Sequence, residues 1–151
     1  MRVFESPALL GSFFLIGVLS LLGCGKSEPL PGPQPYPVTG TVMYAGKPAA
    51  SFRVVFHPVE KFEGPQFAPS AMTDEQGNFA LHSYSKEEPD GAPAGEYVVT
   101  FQCPMYVSTG DDDELPLERD RLRGKFNNPQ KSKWKAQVVE GENDLETFEL
   151  K

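Results

Sequence analysis

Two cysteines and two histidines are the side chains of this sequence best suited to act as nucleophiles, general bases or metal ligands. Cys24 ends an apolar run, whereas Cys103, His57 and His82 lie in segments with the alternating pattern of strands. A zinc site needs at least three converging ligands, and the sequence has no His-x-His or Cys-x-x-Cys spacing. The sequence therefore predicts no metal centre and no cofactor, and Cys103 is expected to be a buried core thiol. A small hydrolase or a ligand carrier, using His57 or His82 with a nearby carboxylate, stays open as the alternative function.

The densest charge in the chain is a run of four carboxylates. Ca²⁺ takes six to eight oxygen ligands, and adjacent carboxylates supply several of them. The run lacks the alternating Asp-x-Asp-x-Asp-Gly pattern that wraps this ion, and contiguous side chains point in diverging directions. A solvated loop and a weak cation site therefore both stay open for Asp111, Asp112, Asp113 and Glu114.

Several aromatic side chains fall in or beside predicted loops, where they could stack on a sugar. The chain has a single tryptophan, and packing in the core is the commoner role of such a residue. Both roles are open for the candidate stacking residues Trp134, Tyr106 and Tyr84, with Phe126 beside them.

The amino-terminal part of the chain is typical of an export signal. Residues 8–22 form an uncharged apolar run of 15 residues, which suits the core of a signal peptide and is short for a membrane-spanning helix. The run ends in Leu21-Leu22-Gly23-Cys24, which resembles the bacterial lipobox. The resemblance implies that the Cys24 thiol receives a diacylglycerol and that cleavage between Gly23 and Cys24 removes residues 1–23.

A lipidated Cys24 would anchor the chain to a membrane, since each buried CH₂ group contributes about 0.8 kcal/mol. Residues 24–37 follow as a proline-rich segment, which predicts an extended tether between the lipid and a folded domain. The expected location is the bacterial cell envelope, with the lipid most naturally in the outer membrane and the domain facing the periplasm or the cell surface.

The remaining residues, 38–151, are predicted to form one β-sandwich domain. Apolar and polar side chains alternate in residues 38–44, 52–57 and 95–103, and turn residues separate the runs. Residues 135–139 and 144–150 are expected to form a closing hairpin, and one short helix is possible within residues 111–123. Seven strands and no long helix indicate an all-β fold, a seven-stranded antiparallel Greek-key sandwich.

Six short segments, each a β-turn with its flanking strand, occur in an order that resembles a known family. Together they are similar to the carboxypeptidase-regulatory-like or transthyretin-like domain of small bacterial envelope lipoproteins. The resemblance implies a Greek-key sandwich and no catalytic residues, because the domain is not known for an activity of its own. The segments are 38–42 (VTGTV), 46–48 (GKP), 54–58 (VVFHP), 73–79 (TDEQGNF), 91–100 (GAPAGEYVVT) and 141–143 (GEN).

Length and charge limit the class of protein further. The chain has 151 residues and a formal net charge of −7, which argues against a nucleic-acid partner because phosphate binding needs a basic face. The sequence therefore predicts a non-enzymatic, lipid-anchored envelope module whose loops carry recognition. Its expected partners are the membrane, through the lipid on Cys24, and an envelope protein or glycan.

Overall fold

The computed structural model describes residues 32–62, 66–108, 110 and 115–151. These residues form thirteen strands and no α-helix. The strands are β1 (Pro35–Tyr36), β2 (Val38–Tyr44), β3 (Lys47–Pro48), β4 (Arg53–Pro58), β5 (Ser70–Met72), β6 (Asn78–Ala80), β7 (Ala92–Pro93), β8 (Gly95–Gln102), β9 (Pro104–Val107), β10 (Leu117–Asp120), β11 (Trp134–Val138), β12 (Asn143–Asp144) and β13 (Phe148–Leu150).

Two main sheets face each other across one core. The first is antiparallel and has the order β11-β8-β4-β5. The second is built around β2, which pairs antiparallel with β3 and β6 and parallel with β12 and β13. The all-β sandwich that the sequence predicts is confirmed. Two further pairs, β1 with β7 and β9 with β10, extend it at its ends.

The core is made by the alternate side chains of the long strands. In β8, for example, Tyr97, Val99 and Phe101 are fully buried, as the period of two predicts. Rings from both sheets meet there, with Phe148 of β13 at 5.5 Å from Phe101 and 6.5 Å from Phe56, measured between ring centroids. Each such side chain contributes about 1.5–3 kcal/mol on burial, so this shared core holds the two sheets together.

The end of the chain does not form the predicted closing hairpin. Strand β11 pairs with β8, whereas β12 and β13 pair with β2 in the other sheet, so the chain crosses between the sheets after residue 138. Asn143 holds the crossing. Its amide nitrogen donates to the carbonyl oxygens of Pro37 and Val139, and its amide oxygen accepts from the Val139 N–H. The predicted helix within residues 111–123 is also not found in the described part, where β10 and a turn follow residue 115.

The proline-rich segment joins the sandwich earlier than the sequence predicts. Strand β1, which lies within the predicted tether, pairs with β7. The Tyr84 hydroxyl also donates a 2.8 Å hydrogen bond to the carbonyl oxygen of Pro33. Residues 32–37 are therefore part of the folded body, and the rest of the predicted tether lies outside the described residues.

The sandwich has two distinct ends. The chain enters at what we call the proximal end, which comprises residues 32–37, 59–62 and 83–94 together with the start of β2 and of β8. The distal end comprises residues 45–51, 73–77, 103–108, 110 and 115–126. Register fixes this arrangement, because Pro58 pairs with Tyr97 at one end of β4 and Arg53 pairs with Gln102 at the other.

Candidate functional site

His57 lies on the outer face of the first sheet and is committed to a neighbouring strand. Its Nε2 is 2.8 Å from the Thr100 hydroxyl oxygen, and Thr100 itself is buried. Burial lowers the pKa of His57 below its ordinary value. Among the described residues, no carboxylate is hydrogen-bonded to the imidazole, so the pairing of His57 with a carboxylate that the alternative function requires is not formed there.

His82 and Cys103 occupy separate places. The His82 Nδ1 is 3.3 Å from the carbonyl oxygen of Ser85, and the His82 backbone pairs with that of Ser70 in β5. Cys103 is a buried thiol at the distal end, and burial raises its pKa, partly offset by the nearby Arg121 guanidinium. A buried thiol with a raised pKa is a poor nucleophile, which fits the core role predicted for it.

The three aromatic residues predicted as sugar-stacking candidates do not share a surface. Tyr84 packs at the proximal end, with its ring centroid 4.7 Å from that of Phe67. Tyr106 is at the distal end, with 68% of its surface exposed. Trp134 is half-buried, and its ring packs edge-on against Phe101 and Phe126. Tyr84 is thus part of the attachment of the incoming chain, and only Tyr106 and Trp134 lie towards the distal end.

The predicted lipid and cation sites fall outside the described residues. This applies to Gly23 and Cys24 and to the acidic run Asp111, Asp112, Asp113 and Glu114. Within residues 32–62, 66–108, 110 and 115–151, no three His, Cys, Asp or Glu side chains gather as a metal site would require. The same ranges contain no helix of the length and apolarity needed to cross a bilayer.

A hairpin of β9 and β10 is fixed to the first sheet by one ion pair. The Arg53 guanidinium on β4 donates two hydrogen bonds to the Glu118 carboxylate, of 2.5 and 2.9 Å. The Tyr106 hydroxyl donates a third, of 3.3 Å, to the same carboxylate. Arg53 holds the pKa of Glu118 below its usual range. The pair directs the chain that follows β10 along the distal end.

The turn after β10 is built around the carboxylate of Asp120. Its Oδ1 accepts the N–H of Cys103 at 2.9 Å and that of Leu122 at 3.0 Å, and its Oδ2 accepts the N–H of Gly124 at 2.9 Å. Leu122 packs against the core, and Phe126 is buried in it. The turn is therefore anchored at every second residue from 120 to 126.

The residues between these anchors are all basic and all exposed. These are residues 121, 123 and 125. Arg119, just before the turn, and two lysines in the loop before β11 are also basic and exposed. We call the set the basic surface, which consists of Arg119, Arg121, Arg123, Lys125, Lys131 and Lys133. It holds six of the 14 basic residues of the chain, although the protein as a whole is acidic.

Two lysines of the basic surface lie over aromatic rings of the same cluster. The Lys125 ammonium is 4.9 Å from the ring centroid of Phe126, and the Lys133 ammonium is 5.0 Å from that of Trp134. The two rings pack edge to face with centroids 5.5 Å apart. Such cation–π contacts hold each ammonium group close to an aromatic ring that is anchored in the core, and so position it at the surface.

The sequence contains a pattern that indicates this surface, although no binding site was predicted from it. Residues 119–125 read RDRLRGK, so a basic residue stands at every second position. The described part of the chain contains two ion pairs, Arg53 with Glu118 and Lys151 with Glu149, and neither involves the basic surface. Lys125 of that surface donates a 2.7 Å hydrogen bond to the backbone oxygen of Lys151, and the acidic run lies outside the described residues.

Comparison with known proteins leaves the family open. No protein-family model matches the chain, and no curated protein matches it. A solved 9R-lipoxygenase from Cyanothece PCC8801 is similar over 82% of this chain and 18% of its own, with 18% identity and a TM-score of 0.44. A solved (S)-allantoin synthase is similar over 80% of this chain and 43% of its own, with 13% identity and a TM-score of 0.38. The chain spans less than half of either protein, and both likenesses are too weak to assign a function.

Proposed function

We propose that this protein is a non-enzymatic, lipid-anchored binding module of the bacterial cell envelope. In this proposal Cys24 carries the lipid, residues 1–23 are removed, and the sandwich presents its distal end to a partner in the envelope. The sequence features that support the anchor are the apolar run of residues 8–22 and the lipobox-like residues that end it.

The observation that carries the proposal is where the chain enters the domain. Residues 32–37 are held at the proximal end by the pairing of β1 with β7 and by the bond from Tyr84 to Pro33. Cys24 precedes Gly32 by only eight residues, which span at most about 30 Å even when fully extended. A lipid on Cys24 would therefore hold the proximal end near the membrane and leave the distal end free for a partner.

The distribution of charge is consistent with this orientation. At the proximal end the exposed Glu60, Glu87 and Glu88 stand beside the exposed Lys61 and Lys86, so this end offers little charge attraction for a negatively charged lipid surface. The exposed arginines lie on the distal end instead. The anchor, and not charge attraction, would then keep the domain at the membrane.

The alternative function, a small hydrolase or ligand carrier using His57 or His82, has less support. The imidazole of His57 is engaged with Thr100, and that of His82 lies against the carbonyl of Ser85. A hydrolase would need one of these rings beside a carboxylate and a nucleophile in a shared cleft.

Labelling with palmitate tests the anchor. In cells that express the protein, labelled palmitate is expected to enter the wild type and the matched control Cys103→Ser, and not Cys24→Ser. Cys24→Ser is also expected to move from the membrane to the soluble fraction. Equal labelling of all three chains would overturn the proposed anchor.

A further inference from the structure

We propose that the basic surface binds a linear anionic polysaccharide, one that bears carboxylate or sulfate groups along its length. The inference names the partner of the distal end and so rests on the proposed function, which leaves that end free.

The first argument is that the fold holds these side chains outward by construction. Three backbone N–H groups bond to the Asp120 carboxylate, and Leu122 and Phe126 pack inward, which leaves the residues between them exposed. Arg119, Arg121, Arg123 and Lys125 are all exposed, although the Arg121 guanidinium also approaches Cys103 and the Lys125 ammonium donates to the Lys151 backbone oxygen. All four of these positions are occupied by Arg or Lys. A turn that served only to connect β10 with β11 would not require a basic residue at each exposed position.

The second argument concerns the shape of the ligand. The six side chains are spread from the end of β10 to the residue before β11. The groove between β11 and β13 is lined by one of them, Lys133. Charges distributed along a surface in this way suit a ligand that repeats its own charges, whereas a small anion needs groups that converge on one point.

The third argument separates a polysaccharide from other polyanions. Unpaired nucleic-acid bases bind by stacking on aromatic rings, but of the two rings that lie under the basic lysines Phe126 is buried and Trp134 has Lys133 over it. Tyr106 of the neighbouring hairpin is exposed, so the comparison with single-stranded DNA below tests whether bases stack there. The anchoring membrane faces the opposite end in the proposed orientation. A polysaccharide with repeated carboxylates or sulfates needs only the ammonium and guanidinium groups that the surface supplies.

Binding by the full-length, detergent-solubilised protein tests the inference. Biotinylated heparin and polygalacturonate serve as anionic probes and dextran as the neutral one, at 50 and 300 mM salt. The wild type is expected to bind both anionic probes at 50 mM salt, to lose most of that affinity at 300 mM, and to ignore dextran, because such contacts are screened.

Matched variants separate the surface from the overall charge. The triple variant R119Q/R121Q/R123Q is expected to weaken binding about tenfold, since each exposed ion contact contributes modestly. K47Q/K61Q/K86Q removes three exposed lysines elsewhere and changes the net charge equally, so it is expected to stay within about twofold of the wild type. The fluorescence of Trp134, the single tryptophan, confirms that each variant is folded.

The outcomes distinguish this inference from the proposed function. The inference is overturned if the wild type fails to bind at 50 mM salt, or if the two triple variants lose affinity equally. Tighter binding to single-stranded DNA or to phosphatidylglycerol vesicles than to both anionic probes would also overturn it. If the wild type binds the anionic polysaccharides but takes up no palmitate, the anchor alone is contradicted. If it takes up palmitate but binds neither anionic polysaccharide, this inference alone is contradicted.

Discussion

Gly91 lies directly against the carbonyl oxygen of Tyr36, and a Cβ at residue 91 would overlap that oxygen. The backbone of Gly91 has a φ of +87°, in the left-handed region that favours glycine. The close approach of Tyr36 comes from the docking of β1 beside β7. A substitution at Gly91 therefore tests directly whether the segment that enters the domain is part of the fold.

Gly91→Ala is expected to destabilise the protein and release that segment. The change adds about 1 kcal/mol of backbone strain and about 1–3 kcal/mol for the overlap with Tyr36. Gly46→Ala is the matched control, because Gly46 has a φ of +78° and an added Cβ there would meet nothing within 4 Å, so only the strain applies. Urea unfolding gives the stabilities, and proteinase K should remove the residues before Val38 faster in Gly91→Ala. Equal behaviour of the two variants would show that the docking does not matter.

Asp90 gives the proximal end a dependence on pH. Burial would raise the pKa of this carboxyl, but the N–H groups of Ser83, Tyr84 and Ser85 bond to it and hold the pKa below its ordinary value. A depressed pKa in the folded state means that the carboxylate stabilises the fold above about pH 4, and that this contribution is lost as the pH falls through the folded pKa.

Asp90→Asn is accordingly expected to cost about 1–3 kcal/mol at pH 7, because backbone donors lose their acceptor. The difference from the wild type should shrink as the pH falls below about 4, because the carboxyl of the unfolded chain is then protonated and the stabilisation by the charge is progressively lost. Urea unfolding, followed by Trp134 fluorescence at pH 7, 5 and 3, measures the free energy of unfolding of the variant and of the wild type at each pH. A difference that stays constant over this range would contradict the role of the charge.

The sequence predicts the strands and turns of this fold well because their signals are local. The alternation in residues 95–103 matches the burial of β8. The turn at residues 74–77 is formed as expected, with the Asp74 carboxylate accepting the N–H groups of Gln76 and Asn78 and with Gly77 at a φ of +80°. Each of these features is decided by a few neighbouring residues.

Pairing between distant segments could not be predicted in the same way. Residues 140–143 have the turn chemistry of a hairpin, yet the chain crosses to the other sheet there. The reason is non-local, since the Asn143 amide bonds to Pro37, which lies 106 residues earlier. Asp90 and Asp120 were missed for a related reason. A loop carboxylate looks solvent-exposed in a sequence until the fold aims backbone N–H groups at it.

The distances of the two ends from a bilayer test the central claim most directly. A fluorophore can be placed on a cysteine at residue 88, at the proximal end, or at residue 47, at the far end of β2, in the Cys103→Ala background. The seven residues of β2 alone separate the ends by about 20 Å. In the lipidated protein in vesicles with nitroxide-labelled headgroups, the label at residue 88 should be quenched strongly and the label at residue 47 weakly. Equal quenching, or stronger quenching at residue 47, would contradict an anchor that holds the proximal end at the membrane.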